Sequence, residues 1–236
     1  FNSKVEIESQ MEDMAAKYSK EKGIDVEVYY SNDTVAAHLA TKYASKDPYT
    51  ISMVDAKDIY SLAEEHAVDL SDQDWVKDTD YAISIDGKTY GFPVSVEARG
   101  LIYNADAIKK VTGKEFKPEN YKTLDEFKDL IDELKAGGME SPTGVMKEDW
   151  SLAGHLLPEV YEEQEDPDAF CHELKDGKVD LSSNAKWNSL MDFFDVMKDN
   201  NYAKSSAISA EREVTEQKLA EGEIAFMFGG NWDCPC

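Results

Sequence analysis

The chain has 236 residues, 42% of them hydrophobic, so it can form one large domain or two small domains with buried cores. Its 49 acidic and 25 basic residues give a formal net charge of −24, which repels phosphate backbones and anionic membrane surfaces. This charge argues against a nucleic acid partner. No stretch of the sequence approaches the roughly 20 apolar residues that cross a bilayer.

The first third of the chain alternates between helical and extended patterns. Apolar residues recur at helical spacing over residues 4–22, and Gly23 follows as a predicted C-cap. Residues 24–30 alternate between apolar and polar side chains, which predicts a strand.

Helical and extended segments continue to alternate beyond residue 30. Asn32 and Asp33 are predicted to cap a helix through Ser45, and residues 49–54 to form a short buried strand, with another helix after Asp55. This order favours an α/β fold with a mostly parallel sheet and helices on both faces. Because such sheets normally begin with a strand, we expect a first strand upstream of Phe1.

The middle of the chain contains a turn signal followed by a helix cap. Asp86-Gly87 stands between two short extended runs and predicts a β-hairpin. Residues 99–103 are predicted to be extended, and Asn104 to cap a short helix that ends near Gly113.

A further helix begins with a capping box. Thr123 can accept a hydrogen bond from the backbone N–H of Glu126, whose side chain can reach back to the N-terminus of the helix. The buried face of this helix is predicted to consist of four apolar residues: Phe127, Leu130, Ile131 and Leu134.

The last third is predicted to hold two helices and a strand. Ser182 or Ser183 is expected to open the first helix, and the second covers about 213–221. A buried strand over 224–228 then leads into Gly229-Gly-Asn-Trp-Asp233. Loops beyond strand ends are where open sheets of this class hold ligands.

The sequence offers little for catalysis. It has no Gly-x-Ser-x-Gly motif, no glycine-rich phosphate loop, and four histidines without metal-ligand spacing. Cys234 and Cys236 have one residue too few between them for a Cys-x-x-Cys site, so we predict no metal and no cofactor. Paired carboxylates such as Glu97 and Glu148 leave a glycoside hydrolase open, although 49 acidic residues make this a weak signal.

Carbohydrate binding fits the sequence better. Aromatic rings cover the apolar faces of sugar rings, while carboxylates and amides accept hydrogen bonds from hydroxyl groups. Trp150 follows Glu148 and Asp149 closely, and Trp232 stands between an asparagine and an aspartate. These two aromatic and acidic clusters in predicted loops favour a sugar-binding cleft.

Several ordered blocks resemble the extracellular solute-binding proteins of bacterial ABC importers, in the carbohydrate-binding branch that includes maltose-binding protein. The resemblance covers nearly the whole chain. Its blocks are residues 17–28, Asp55, residues 90–104 (Tyr-Gly-Phe-Pro-Val-Ser-Val-Glu-Ala-Arg-Gly-Leu-Ile-Tyr-Asn), residues 122–127, and residues 219–232.

The resemblance implies two α/β lobes of the type II periplasmic-binding-protein class, which close around a solute. The N-terminal lobe would cover residues 1–96 and the C-terminal lobe 97–236, with a crossing near 94–99. Family members run well past this length and return to the first lobe. We therefore expect a truncated chain whose first lobe lacks its starting strand and its returning segment.

The resemblance also implies the site and the biological setting. A mono- or oligosaccharide would be the ligand, permease subunits of an ABC transporter the partners, and the protein a monomeric extracytoplasmic lipoprotein or periplasmic protein, not an enzyme. The implied ligand-binding residues are Asp55, Glu97, Glu148, Trp150, Asn231, Trp232 and Asp233.

Two alternatives remain open at this point. One is a carbohydrate-active hydrolase that uses two of the cleft carboxylates. The other is a binding protein of the same fold for a different solute, such as a peptide, a polyamine or a metal complex.

Overall fold

The computed structural model describes residues 1–31 and 34–233. The chain divides into two compact units, Phe1–Val96 and Glu97–Cys236. Among the residues described, no helix combines the length and the apolar character needed to cross a bilayer.

The described residues of the first unit form three α-helices. Helix α1 ends at Gly23, which has a left-handed φ of 66° and donates its N–H to the carbonyl oxygen of Ser19 at 2.9 Å, as predicted. The predicted caps Asn32 and Asp33 lie outside the described residues. The helices are α1 (Glu8–Lys22, after a 3₁₀ turn at Val5–Ile7), α2 (Val35–Ala44) and α3 (Ala56–His66).

The predicted hairpin is present in the first unit. Strands β1 (Ile83–Ile85) and β2 (Lys88–Gly91) pair antiparallel. Asp86 and Gly87 connect them with positive φ angles of 49° and 78°, as a type I′ turn requires. Helix α3 packs against this hairpin.

The predicted strands over 24–30 and 49–54 are wrong. Among the described residues neither segment forms a continuous ladder: 24–30 has no regular secondary structure, and 49–54 contains only an isolated bridge at Met53, with Ile51 79% exposed. Asn2 forms an isolated parallel bridge with Met53 and donates its N–H to the carbonyl oxygen of Tyr29. Alternating side chains satisfy only one requirement of a strand, because its backbone groups also need a neighbouring strand.

The second unit contains a mixed sheet of three strands. Its strands are β3 (Arg99–Tyr103), β4 (Thr143–Gly144) and β5 (Phe226–Gly230), in the order β3-β5-β4. Strand β5 is central and fully buried; it pairs antiparallel with β3 and parallel with β4. The predicted buried strand near residues 224–228 is therefore confirmed. The sheet is mixed where a mostly parallel one was expected.

Seven α-helices lie in the part of the second unit that the structure describes. A π-helical turn over Leu152–Leu156 continues the short helix α6. The helices are α4 (Ala105–Thr112), α5 (Leu124–Ala136), α6 (Asp149–Ser151), α7 (Glu159–Glu162), α8 (Pro167–Lys175), α9 (Ala185–Asp199) and α10 (Arg212–Ala220).

The capping box of α5 forms as predicted. The Thr123 hydroxyl accepts from the Glu126 N–H at 3.3 Å, and the Glu126 carboxylate accepts from the N–H groups of Thr123 and Lys122 at 2.9 and 2.7 Å. These hydrogen bonds, led by the one from Lys122, lower the pKa of Glu126. The predicted cap of α4 is also confirmed, since Asn104 Oδ1 accepts from the Ala107 N–H.

The predicted cap of α9 is wrong by one or two residues. Ser182 and Ser183 lie in a 3₁₀ turn, and Asn184 accepts from the Trp187 N–H at 3.0 Å instead. Serine and asparagine are about equally good N-caps, so composition alone does not separate them.

The core of the second unit lies between the sheet and helices α4, α5 and α9. The four apolar residues predicted for the buried face of α5 are each at most 8% exposed. They form one cluster with residues of the neighbouring elements that include Ile108, Met197 and Phe226. This packing makes β5 a buried strand whose end, at Gly229-Gly230, leads into the candidate site.

Candidate functional site

Two of the predicted tryptophans contact the same histidine. The ring centroid of His155 lies 5.4 Å from that of Trp150 and 5.0 Å from that of Trp232. Trp150 belongs to α6, His155 to the π-helical turn that follows it, and Trp232 to the turn after β5. All three side chains are half-buried. We call these three residues the aromatic cluster. The sequence predicted a binding role for both tryptophans but none for His155.

Glycine at the end of β5 allows Trp232 to take its position. A Cβ atom added to Gly230 would lie 2.3 Å from carbon atoms of the Trp232 ring, closer than non-bonded atoms approach. At Gly229 an added Cβ would lie 2.2 Å from the Asp233 carboxylate. The two glycines therefore let the turn over Asn231–Asp233 fold back on the strand end.

Asp233 is buried, and protein donors engage both of its oxygen atoms. Oδ2 accepts from the Gly230 N–H at 3.0 Å, and Oδ1 forms an ion pair with Arg212 Nη2 at 3.0 Å. The Asp233 side chain is only 1% exposed. This arrangement suits a residue that holds the turn in place.

Asn231 ties the same turn to the start of β3. Its backbone N–H donates to the carbonyl oxygen of Ala98, and its side-chain Oδ1 accepts from the Ala98 N–H, both at 3.0 Å. Glu97 is the preceding residue and is exposed. Glu97 is therefore directly adjacent in sequence to Ala98, the residue that hydrogen-bonds with the Asn231 turn.

Glu148 presents a buried oxygen atom beside Trp150. Its Oε1 accepts from the backbone N–H of Arg212 at 3.0 Å. Its Oε2 is buried and has no hydrogen-bond donor among the residues described. A buried acceptor without a donor is unfavourable by about 1–3 kcal/mol, so a donor supplied by a ligand would stabilise this site.

Arg212 is a central residue of the site that the sequence did not reveal. Its guanidinium carbon lies 5.5 Å from the Trp150 ring centroid, and its nitrogen atoms pair with Glu216 and Asp233. Burial works to lower the pKa of Arg212, but the two carboxylates outweigh it and raise that pKa. The one available signal was that only Arg99 and Arg212 are arginines in this chain.

Glu216 shares the buried environment of Arg212. Burial raises the pKa of the Glu216 carboxyl group, while the Arg212 guanidinium opposes this shift and the Asp233 carboxylate adds to it. The two carboxylates and the arginine therefore form a compact charged group next to Trp150.

Asp55 belongs to the first unit. It stands at the N-cap position of α3 and forms an ion pair with Lys4 at 3.6 Å; its side chain is 50% exposed. Its backbone N–H donates to Asp58, whose pKa is raised by burial and then by the Asp55 carboxylate. The structure therefore places Asp55 at a helix start, with much of its carboxylate accessible.

Cys234 and Cys236, at which the sequence predicted no metal site, lie outside the described residues. Within the described part of the chain, no group of three or more histidine, cysteine, aspartate or glutamate residues could hold a metal ion.

Solved structures with the same fold cover almost the whole chain. The solute-binding protein RafE in complex with raffinose matches 99% of this chain with a TM-score of 0.78 and 21% identity; apo RafE from Streptococcus pneumoniae matches all of it with a TM-score of 0.73 and 21% identity. A solute-binding protein from Thermotoga lettingae bound to α-D-tagatose matches 99% with a TM-score of 0.72 and 20% identity. These proteins have the expected two-lobe fold.

The match covers a smaller part of the other proteins. The chain spans 62% of the length of RafE in its raffinose complex, 61% in the apo structure, and 62% of the Thermotoga lettingae protein. A search of curated protein sequences found no significant match. The model of the family described as bacterial extracellular solute-binding protein matches residues 13–235. The chain therefore belongs to the bacterial extracellular solute-binding protein family.

Proposed function

We propose that this protein is the carbohydrate-binding component of a bacterial ABC importer and that the aromatic cluster forms part of its binding site. The observation that carries this proposal is the combination of two half-buried tryptophans with a buried carboxylate oxygen of Glu148 that has no donor among the described residues. Relatives of the same fold bind raffinose, stachyose and α-D-tagatose, which supports a sugar as the ligand.

The residues at the site have complementary roles in this proposal. Trp150 and Trp232 stack on the apolar faces of sugar rings. Glu148 accepts a hydrogen bond from a sugar hydroxyl through Oε2, and Glu97 offers a second carboxylate near the turn. Asn231 offers its side-chain N–H₂ group, because its Oδ1 already accepts from Ala98.

Charge favours a neutral sugar over an anionic one. Arg212, the cation beside Trp150, is already paired with Glu216 and Asp233. The whole chain carries a formal charge of −24. A carboxylated or phosphorylated sugar would therefore meet repulsion without a free guanidinium to offset it.

The proposed mechanism is binding without chemical change. A sugar that contacts both lobes favours the closed state by its higher affinity for that state, and Asp55 would supply a contact from the N-terminal lobe. The closed form would then be recognised by the permease subunits. We propose that the protein acts as a monomer outside the cytoplasm, either anchored as a lipoprotein or free in a periplasm.

Ligand-dependent thermal stabilisation of the full-length protein tests this function. The panel contains raffinose, stachyose, a chitin oligosaccharide, a galacturonate oligomer, spermidine and a short peptide. At 100 times its Kd, a true ligand raises the free energy of unfolding by about 2.7 kcal/mol. We expect a neutral sugar to raise Tm and the other compounds to leave it unchanged.

Two results would contradict the proposal. A shift with spermidine or the peptide and none with any sugar would assign a different solute, since carboxylates beside aromatic rings also suit a cation. Turnover of a labelled oligosaccharide by the purified protein would instead favour the hydrolase.

A further inference from the structure

We propose that Arg212 is a positioning residue that holds Trp150, Glu148 and the Trp232 turn in their binding arrangement before any ligand arrives. The positioning itself is a property of the ligand-free protein. Its effect on affinity rests on the proposed carbohydrate-binding function.

Arg212 contacts three separate parts of the site. Its backbone N–H donates to Glu148 Oε1 at 3.0 Å. Its guanidinium lies over the Trp150 ring, with 5.5 Å between the guanidinium carbon and the ring centroid. Its Nη2 atom reaches Asp233 Oδ1 at 3.0 Å. One residue at the start of α10 thus connects the N-terminus of α6 with the turn after β5.

The contact with Asp233 extends to Trp232. Asp233 Oδ2 accepts from the Gly230 N–H, so the carboxylate links Arg212 to the end of β5. Trp232 stands between these two positions, with its ring over Gly230. Loss of the Arg212–Asp233 pair therefore releases one end of the turn that presents Trp232.

Burial makes these contacts stronger than exposed ion pairs. The side chains of Arg212, Glu216 and Asp233 are 26%, 13% and 1% exposed. Solvent screens such pairs less than surface pairs, whose median contribution is small.

Lysine would keep the backbone N–H that donates to Glu148, but it cannot reproduce the side-chain contacts. Its single ammonium group lacks the planar fork that lets arginine pair with two carboxylates and lie flat over an aromatic ring. Since Arg212 already donates to Glu216 and Asp233, its effect on a ligand passes through the residues it holds.

The first experiment measures positioning in the ligand-free protein. In the full-length protein with Trp75→Phe and Trp187→Phe, the tryptophans that remain among the described residues are Trp150 and Trp232. In this background, Arg212→Lys is expected to raise the acrylamide quenching constant about twofold and to weaken the near-ultraviolet circular dichroism. Lysine is chosen because Arg212→Met would leave two buried carboxylates without a cation and endanger folding.

A control with a small defect in the core separates positioning of the tryptophans from a general loss of stability. Ile131→Val in helix α5 costs about 0.5–1.5 kcal/mol of stability. Ile131 packs in the core cluster of the second unit that contains α5, to which neither Trp150 nor Trp232 belongs. This control is expected to leave quenching and near-ultraviolet signals unchanged. Equal quenching in Arg212→Lys and in the parent would overturn the proposal, as would an equal change in the Ile131→Val control.

The second experiment measures coupling to binding, with raffinose as the probe. We expect Arg212→Lys to weaken raffinose binding about tenfold in the parent protein, but less than threefold when Trp150 is already alanine. A loss of the same size in both backgrounds would show that Arg212 does not act through Trp150. If raffinose does not bind the parent, the proposed function fails for this sugar, and the quenching result alone supports or overturns the positioning role.

Discussion

At the residue scale, the turn after β5 gives three consecutive side chains three different tasks. Asn231 binds the backbone of Ala98, Trp232 packs over Gly230, and Asp233 pairs with Arg212. The turn can approach the strand end this closely because Gly229 and Gly230 have no Cβ atoms. Packing therefore requires glycines in the Gly-Gly-Asn-Trp-Asp segment, in addition to the binding role that we propose for it.

The first prediction concerns Gly230. In Gly230→Ala the new methyl group would overlap the Trp232 ring, so the ring must move. Overpacking of this kind typically lowers the free energy of unfolding by about 1–3 kcal/mol. A penalty of about 1.4 kcal/mol on the binding arrangement of the ring corresponds to a tenfold loss of affinity. We expect the variant to bind the proposed sugar ligand at least about tenfold more weakly, as measured by isothermal titration calorimetry.

Gly100→Ala is the matched control for this prediction. Gly100 lies opposite Gly229 on the neighbouring strand, and an added Cβ there meets no atom within 4 Å. The control should bind like the parent protein. Equal affinities for Gly230→Ala and the parent would show that the position of the Trp232 ring does not matter for binding.

The second prediction concerns the tryptophans themselves. Trp150→Ala and Trp232→Ala should each make the binding free energy less favourable by about 0.5–1.5 kcal/mol or more. This is the range that aromatic pairs contribute in addition to the burial of their surface area. Trp187→Phe in helix α9 serves as the control and should leave affinity unchanged, because this residue belongs to none of the contacts of the aromatic cluster described above. Calorimetry that finds unchanged affinity for both alanine variants would remove the aromatic cluster from the binding site.

At the element scale, helix α5 shows how local signals and packing agree. Its N-terminus is held by the Thr123–Glu126 capping box, and its apolar face is buried against the sheet. Residues 24–30 show the opposite case, because their alternating pattern lacks a partner strand among the described residues. A helix satisfies its hydrogen bonds within its own segment, whereas a strand depends on residues elsewhere in the chain.

The third prediction tests the start of α5. Thr123→Ala removes the hydroxyl that accepts from the Glu126 N–H. Loss of such a cap costs about 1 kcal/mol of stability. Chemical denaturation should show a lower midpoint with an unchanged slope; an unchanged midpoint would mean that the cap makes no net contribution.

The fourth prediction concerns pH and the same capping box. Backbone donors lower the pKa of Glu126 in the folded state, from an ordinary value of 4.5, so the unfolded chain takes up this proton first as pH falls. The stabilisation from Glu126 is complete above pH 4.5 and is lost as pH falls through the folded pKa. Glu126→Gln should therefore lose less stability than the parent between about pH 6 and pH 3.

Thermal unfolding at each pH measures this difference. Asp132→Asn, an exposed carboxylate on the same helix, is the control for removing one negative charge. The prediction is wrong if Glu126→Gln and the control follow the same pH dependence.

At the scale of the whole molecule, excess negative charge dominates. The chain has 24 more acidic than basic residues, and many of its ion pairs are on the surface, where each contributes little. Repulsion among the acidic residues therefore opposes the compact state.

The fifth prediction follows from this repulsion. Raising sodium chloride from about 10 mM to about 200 mM shortens the Debye length to below about 10 Å and should stabilise the protein. A gain of about 1 kcal/mol would raise Tm by about 2–4 °C for a chain of this size. Calorimetric scans in which salt lowers Tm would show that attractive ion pairs outweigh the repulsion.

The sequence by itself determined the helices with clear caps, the Asp86-Gly87 hairpin, the buried strand β5 and, through ordered motifs, the family. The caps and the hairpin depend on neighbouring residues, and an uninterrupted apolar run marks β5, so local patterns predict these elements. Only the tertiary structure decided that Trp150 and Trp232 share His155, that Asp233 is engaged internally, and that Arg212 connects them. Apart from Trp150–His155, whose residues are five positions apart, those contacts join residues about 20 to 80 positions apart in the chain, and sequence spacing does not encode such distances.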